Sequence, residues 1–205
     1  MIAVHGARIA EEAVVIQTVI YMVRHAESKY IPGMEEARGL SEKGMKDALF
    51  VRDILRTEDI DAFFSSPYQR AIQTVEPSAR EAGGDIILIE DLKERTLAGE
   101  DFHVPEGHFF SCKKQLYDDF HFTIPGGESS SEAQYRGSQV ILKLLEEHRG
   151  KKIAIGTHGD IMTLIMNYFN REYDFEFWRS TSMPDVYKLA FEDKELKQVT
   201  RCWAE

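Results

Sequence analysis

The sequence predicts an α/β fold: three αβα layers, with a mainly parallel sheet carrying helices on both faces. Short apolar runs rich in β-branched residues alternate with segments of helical period, and that alternation builds a parallel sheet covered on two sides. The 205 residues form one expected domain, 1–205, long enough to bury a continuous core. An irregular insertion is expected at about 90–127, over the site described below. The chain shows no internal repeat and no low-complexity tract.

The first strand is expected from Thr18 to Val23, an apolar run suited to burial on both faces. A helix follows from Ser41, its N-cap, to Leu55, with Met45, Ala48, Leu49, Val51, Ile54 and Leu55 as its apolar stripe. Ile60 to Phe64 reads as a second strand, and Pro67 marks the start of a helix through Ala71, Ile72 and Val75 that ends near Gly83-Gly84. Asp85 to Ile89 is a third strand. Residues 90–127 mix Gly, Pro, His and aromatics without a sustained period, hence the insertion or lid. Glu128 to His148 returns to helix, Lys152 to Gly156 is a fourth strand, and Asp160 to Phe169 a helix. Val186 to Phe191 and Leu196 to Trp203 read as a final strand pair turning at Glu192-Asp-Lys.

Net charge is −10, so the surface repels polyanions, which argues against nucleic-acid or membrane partners. No run approaches the ~18 apolar residues of a membrane span. Glu11 and Glu12 interrupt the apolar stretch of the N-terminus, unlike a secretory signal, so a cytoplasmic protein is expected. Cys112 and Cys202 are far apart and are expected as free thiols. Residues 1–17 precede the first strand and have no assigned role.

In a parallel sheet, ligands bind beyond the carboxyl ends of the strands. Arg24-His25-Ala26-Glu27-Ser28 follows the first strand, Ser65-Ser66-Pro67-Tyr68-Gln69-Arg70 the second, Leu92-Lys93-Glu94-Arg95 the third and Thr157-His158-Gly159-Asp160 the fourth. Two imidazoles, at least two guanidiniums and a carboxylate are thus expected at one edge. A neutral imidazole can attack phosphorus. Arg24 and Arg70 remain cationic and can grip phosphate oxygens in a fork, stabilising charge on the transferring group. Glu94 can protonate the leaving oxygen and then activate water. This scheme requires no metal and no cofactor.

Five motifs in order, Arg24-His25-Ala26-Glu27-Ser28, Leu40-Ser41-Glu42-Lys43-Gly44, Ser65 to Thr74, Pro125-Gly126-Gly127-Glu128-Ser129 and Thr157-His158-Gly159-Asp160, resemble the histidine phosphatase superfamily, which includes phosphoglycerate mutases. The resemblance runs from about Val19 to Phe169. It implies that His25 is the phosphorylated nucleophile, that Glu94 is the proton donor, that His158 belongs to the catalytic set with them, and that Arg24, Arg70, His158, Ser28 and Gly159 hold the phosphate. Ala26 replaces a common Gly. Gly99 lies one residue further from Glu94 than the family pattern, which leaves Glu90, Asp91, Glu100 and Asp101 as alternative acids. The stretch from Glu94 to His158 is shorter than in the mutases, and the Asn that follows their first motif is missing, so hydrolysis is expected over phosphate migration. The expected activity is metal-independent hydrolysis of a small phosphorylated metabolite through a phosphohistidine. A phosphoglycerate mutase-type transferase remains the alternative. So does a silent phospho-ligand or protein-binding module on the same fold, although it predicts loss of a pocket residue.

His103, His108 and His121, with Asp101 or Asp119, lack a zinc-like spacing and are expected as lid or surface residues. Lys113-Lys114 are candidate contacts for a second anionic group. Phe102, Phe109, Phe110, Tyr117, Phe120 and Phe122 are expected to pack the insertion onto the body, with an apolar wall for the leaving group as the other reading. Oligomeric state is not legible in the sequence.

Overall fold

The computed structural model describes residues 16–204 except 32, 100, 103, 104 and 106. Its six-stranded sheet has the order β3-β2-β4-β1-β5-β6. Strands β1 (Gln17–Arg24), β2 (Ala62–Ser65), β3 (Ile86–Leu88) and β4 (Lys152–Thr157) run parallel, while β5 (Asp185–Glu192) and β6 (Glu195–Arg201) add an antiparallel edge. The helices are α1 (Glu42–Arg56), α2 (Gln69–Ala82), α3 (Phe109–Asp118), α4 (Ser130–Glu147), α5 (Gly159–Phe169) and α6 (Phe175–Ser180). Pleating sends alternate β1 residues to opposite faces. Ile20 and Met22 join Ile153 and Ile155 under α4 and α5, whereas Val19, Tyr21 and Val23 join Val51, Leu55, Val75 and Ala79 of α1 and α2. That is the expected three-layer fold.

Parallel register aligns the ends of the strands. Arg24 pairs with Thr157, Ser65 with Gly156 and Leu88 with Ser65. The His25 N–H then donates to Thr157 O (2.9 Å) and the Ser66 N–H to Gly156 O (2.9 Å), so the motif loops leave the sheet side by side. The loop after β1 is pinned to α1: Ser41 Oγ accepts from the Gly44 N–H and donates to Glu27 Oε1 (2.6 Å). A Cβ on Gly44 would lie 2.1 Å from the Glu27 carbonyl oxygen, which explains a glycine in that helix turn. Ser129 and Glu132 form a capping box at the start of α4.

Three expectations change. The insertion is not irregular throughout, since it contains α3. Met45 and Leu49 are exposed, whereas Ala48, Val51 and Leu55 of the expected stripe are buried, together with Gly44. The helix after β2 starts at Gln69, two residues beyond Pro67. Cys112 and Cys202 are free thiols. Among the described residues no helix is long and apolar enough to cross a membrane. Glu100, His103 and residues 1–15 lie outside the described residues.

Candidate active site

His25 is 6% exposed and its ring lies 5.2 Å from that of His158, which is fully buried. His25 Nδ1 is 2.8 Å from the Ala26 carbonyl oxygen. A carbonyl only accepts, so Nδ1 carries the hydrogen and Nε2 keeps its lone pair. Arg70 Nε donates to that Nε2 at 3.2 Å. Burial, reinforced by Arg70, Arg24 and Arg38, pushes the His25 pKa down to about 3, and only its bond to Ala26 opposes this. His158 is also pushed well down, first by burial and then by His25 and the arginines. Both rings are therefore neutral near pH 7. His158 Nε2 is 2.8 Å from Ser66 Oγ, and the Tyr68 ring packs 5.1 Å from the imidazole.

The guanidiniums are held from several directions. Arg70 is 1% exposed; Nη1 donates to the Glu35 carbonyl, and Nη2 lies 3.4 Å from the Glu35 carboxylate. The same carboxylate accepts from Arg38, whose Nη1 donates to Ser28 Oγ (2.8 Å). Arg24 Nη1 donates to the Thr181 carbonyl (2.9 Å) and hydroxyl. A Cβ on Gly159 would stand 2.7 Å from Arg24 Cζ, so this glycine gives the guanidinium its room. Thr74 Oγ1 accepts from the Ala26 N–H (3.0 Å) and donates to Arg70 O (2.7 Å), tying α2 to the His25 loop.

Glu94 sits at the N-terminus of α5. Its carboxylate accepts from the N–H groups of Asp160 (3.2 Å), Ile161 (3.0 Å) and Arg95 (3.0 Å), a place where the helix dipole favours an anion. The alternative acids point elsewhere: Glu90 pairs with Lys93 at 2.9 Å, and Asp91 and Asp101 are exposed. Asp160 is buried against Arg95, Lys113 and Tyr117. Burial alone would raise its pKa, but the two cations hold it below the usual carboxylate range.

This corrects the reading of Lys113 and Lys114. Lys113 turns inward to Asp160 because a buried carboxylate draws a cation, and Lys114 pairs with Asp118 at 2.6 Å on the surface. The aromatics of α3 pack on α6: Phe109 and Phe110 each lie 6.2 Å from Trp178, and Tyr117 lies 6.1 Å from Phe175. His108 stands at the N-cap position of α3 and His121 Nδ1 lies 3.4 Å from Ser131 Oγ. Glu35, Arg38, Ser66, Thr74 and Thr181 were not predicted to contribute. Ser66 and Thr74 lie within quoted motifs, whereas Glu35, Arg38 and Thr181 sit in loops without a pattern.

The family model for the histidine phosphatase superfamily (branch 1) matches residues 20–203. A metal-independent phosphoserine phosphatase of Arabidopsis thaliana is 29% identical over 166 residues, covering 72% of this chain and 67% of that protein. Phosphoglycerate mutase-like protein 4 of the same plant is 28% identical over 160 residues, covering 70% and 67%. A mycobacterial glucosyl-3-phosphoglycerate phosphatase structure superposes with a TM-score of 0.72 at 17% identity, covering 90% of this chain and 97% of that one. An Entamoeba histolytica phosphoserine phosphatase bound to phosphoserine gives 0.72 at 20% identity, covering 89% and 96%. At such identities the structural likeness speaks for the fold, while the match over residues 20–203 carries the family: this chain belongs to the histidine phosphatase superfamily, branch 1.

Proposed function

We propose that the chain hydrolyses small phosphomonoesters without a metal ion, through a phosphohistidine on His25. The observation that carries this reading is the state of the His25 ring: neutral through burial, with Nδ1 engaged by Ala26 and the Nε2 lone pair beside the Arg70 guanidinium. Nε2 forms the bond to phosphorus as the ester P–O bond breaks, and Glu94 gives the leaving oxygen its proton. Water then forms the new P–O bond, the P–N bond breaks, and Glu94 takes the proton of the water. Arg24 and Arg70 carry the charge on the equatorial oxygens; one such donor is worth roughly 10²–10³ in kcat. Arg24 Nε is buried without a partner among the described residues, and a phosphate oxygen is an acceptor that satisfies such a donor. With His25 and Arg70 nearly buried, a compact ester reaches them more readily than a folded phosphoprotein.

His25→Ala is expected to lower release of phosphate from p-nitrophenyl phosphate by about 10³-fold or more. A chelator is expected to leave the wild-type rate unchanged, and rapid quenching is expected to trap an acid-labile phosphoenzyme. Undiminished turnover in the variant overturns the assignment. Phosphate that migrates to another hydroxyl instead of appearing free identifies a mutase.

A further inference from the structure

Beside the histidine pair lies a second buried charge cluster that the phosphate chemistry does not use. The Asp160 carboxylate accepts from Arg95 Nε at 2.7 Å and lies 2.6 Å from Arg95 Nη2; Lys113 Nζ and the Tyr117 hydroxyl (2.7 Å) also donate to it. Asp160, Arg95 and Lys113 are 1%, 4% and 5% exposed. Arg95 Nη1 donates to Ser130 Oγ (2.6 Å), which donates to the Leu116 carbonyl of α3. One carboxylate thus joins the loop after β3, the lid helix α3, the start of α4 and the start of α5.

The cluster is also wired to Glu94. The Asp160 backbone N–H donates to Glu94 Oε2, and Arg95, whose guanidinium grips Asp160, directly follows Glu94 and donates its own N–H to Oε1. Two buried cations share the single negative charge of Asp160, leaving a surplus positive charge whose nearest further counter-ion is Glu94. The charged and titratable groups facing Glu94 are Arg24 from β1, Arg70 from α2, Arg95 from its own loop, Lys113 and Tyr117 from α3, and Asp160 from α5.

We propose that Asp160 is a positioning residue which, with Lys113 and Arg95, orients Glu94 and so links docking of α3 to the proton-transfer step. The proposal rests on Glu94 as the acid of the hydrolytic reading. Lys113 reaches Asp160 from α3, which packs on α6, so the acid is fully set only while α3 is docked there. Lifting α3 removes one positive charge and one tether from the neighbourhood of Glu94.

Leaving groups provide the test. p-Nitrophenolate departs with little help from an acid, whereas an alkoxide needs a proton. Lys113→Met, which keeps the length of the buried stem, and Asp160→Asn are each expected to lower kcat/KM for an alkyl phosphate such as glycerol 3-phosphate by about 10-fold or more, and to change p-nitrophenyl phosphate by less than about 3-fold. Lys113→Arg, which keeps the charge and a donor for Asp160, is expected to restore the wild-type rate on the alkyl phosphate. If Asp160→Asn does not fold, the two Lys113 variants carry the test. Equal losses on both substrates, or no rescue by Lys113→Arg, overturn the positioning role. Glu94→Gln separates the two levels: if it too shows no leaving-group selectivity, the acid assignment itself falls, and the positioning role with it.

Discussion

Burial holds His25 and His158 neutral, so each ring resists a proton that it accepts readily in the unfolded chain. The unfolded value for an imidazole is near 6.5 and the folded value of His25 is about 3, with His158 also well below its ordinary value. Below pH 6.5 the unfolded chain therefore binds more protons, and stability falls as pH drops through the window from about 6.5 towards 3. The slope per ring is about 1.4 kcal/mol per pH unit. Between pH 7 and pH 5, urea unfolding of the wild type is expected to lose roughly 2 kcal/mol more than that of His25→Asn, which lacks one of the two rings. Equal losses would show that the His25 ring is already protonated in the folded state. The residues of this pair were legible because each histidine ends a parallel strand, His25 directly after Arg24 and His158 directly after Thr157, which meets the positional rule for ligands on a parallel sheet. Their supports were not. Arg24 leans on Thr181, 157 positions away, and Arg70 on Glu35 in a patternless loop; such partners are chosen by tertiary approach alone.

At the scale of elements, the tightest joint is between α1 and the loop that carries His25. Gly44 lies against the Glu27 backbone, with Ser41 bridging helix and loop. A methyl group there would stand 2.1 Å from a carbonyl oxygen, and backbone must move to admit it. Gly44→Ala is expected to cost about 1–3 kcal/mol despite alanine's better helix propensity. In a chain of this size that corresponds to a fall in Tm of roughly 2–12 °C. Because the displaced loop also carries His25, the nucleophile proposed above, kcat/KM is expected to fall with it. A calorimetric scan and a phosphatase assay on one preparation check both, and a variant as stable and active as wild type would mean that helix and loop are not rigidly joined. The motif Leu40 to Gly44 was visible in the sequence, but its purpose emerges only from this contact. Hydrophobic period misassigned Met45 and Leu49 for a related reason: α1 buries Gly44 against the Glu27 backbone and Ala48 on the same side, so its apolar residues do not all mark the inner face. The helix α3 was hidden because its buried stripe, Lys113, Leu116 and Tyr117, has a lysine paired with Asp160 where an apolar residue would have completed the pattern.

For the whole molecule, the informative contrast is between a net charge of −10 and a sheet edge where Arg24, Arg38 and Arg70 gather around two neutral imidazoles. Those three guanidiniums repel one another, and burial adds to their cost: the pKa of Arg70 is pushed down first by burial and then by Arg38. An anion bound among them relieves both effects in the folded state alone, since the unfolded chain has no such cluster. Inorganic phosphate is therefore expected to stabilise the fold. At a hundredfold excess over its Kd the gain is about 2.7 kcal/mol, or a rise in Tm of roughly 5–10 °C for a chain of this length. Salt screening also relieves self-repulsion in so acidic a protein, so chloride at matched ionic strength sets the baseline. Arg70→Gln is expected to erase the difference between the two anions while leaving the chloride response intact. A phosphate scan that tracks the chloride scan would mean that the guanidiniums are balanced by Glu35 and their other protein partners, and that the sheet edge is not built for a tetrahedral anion.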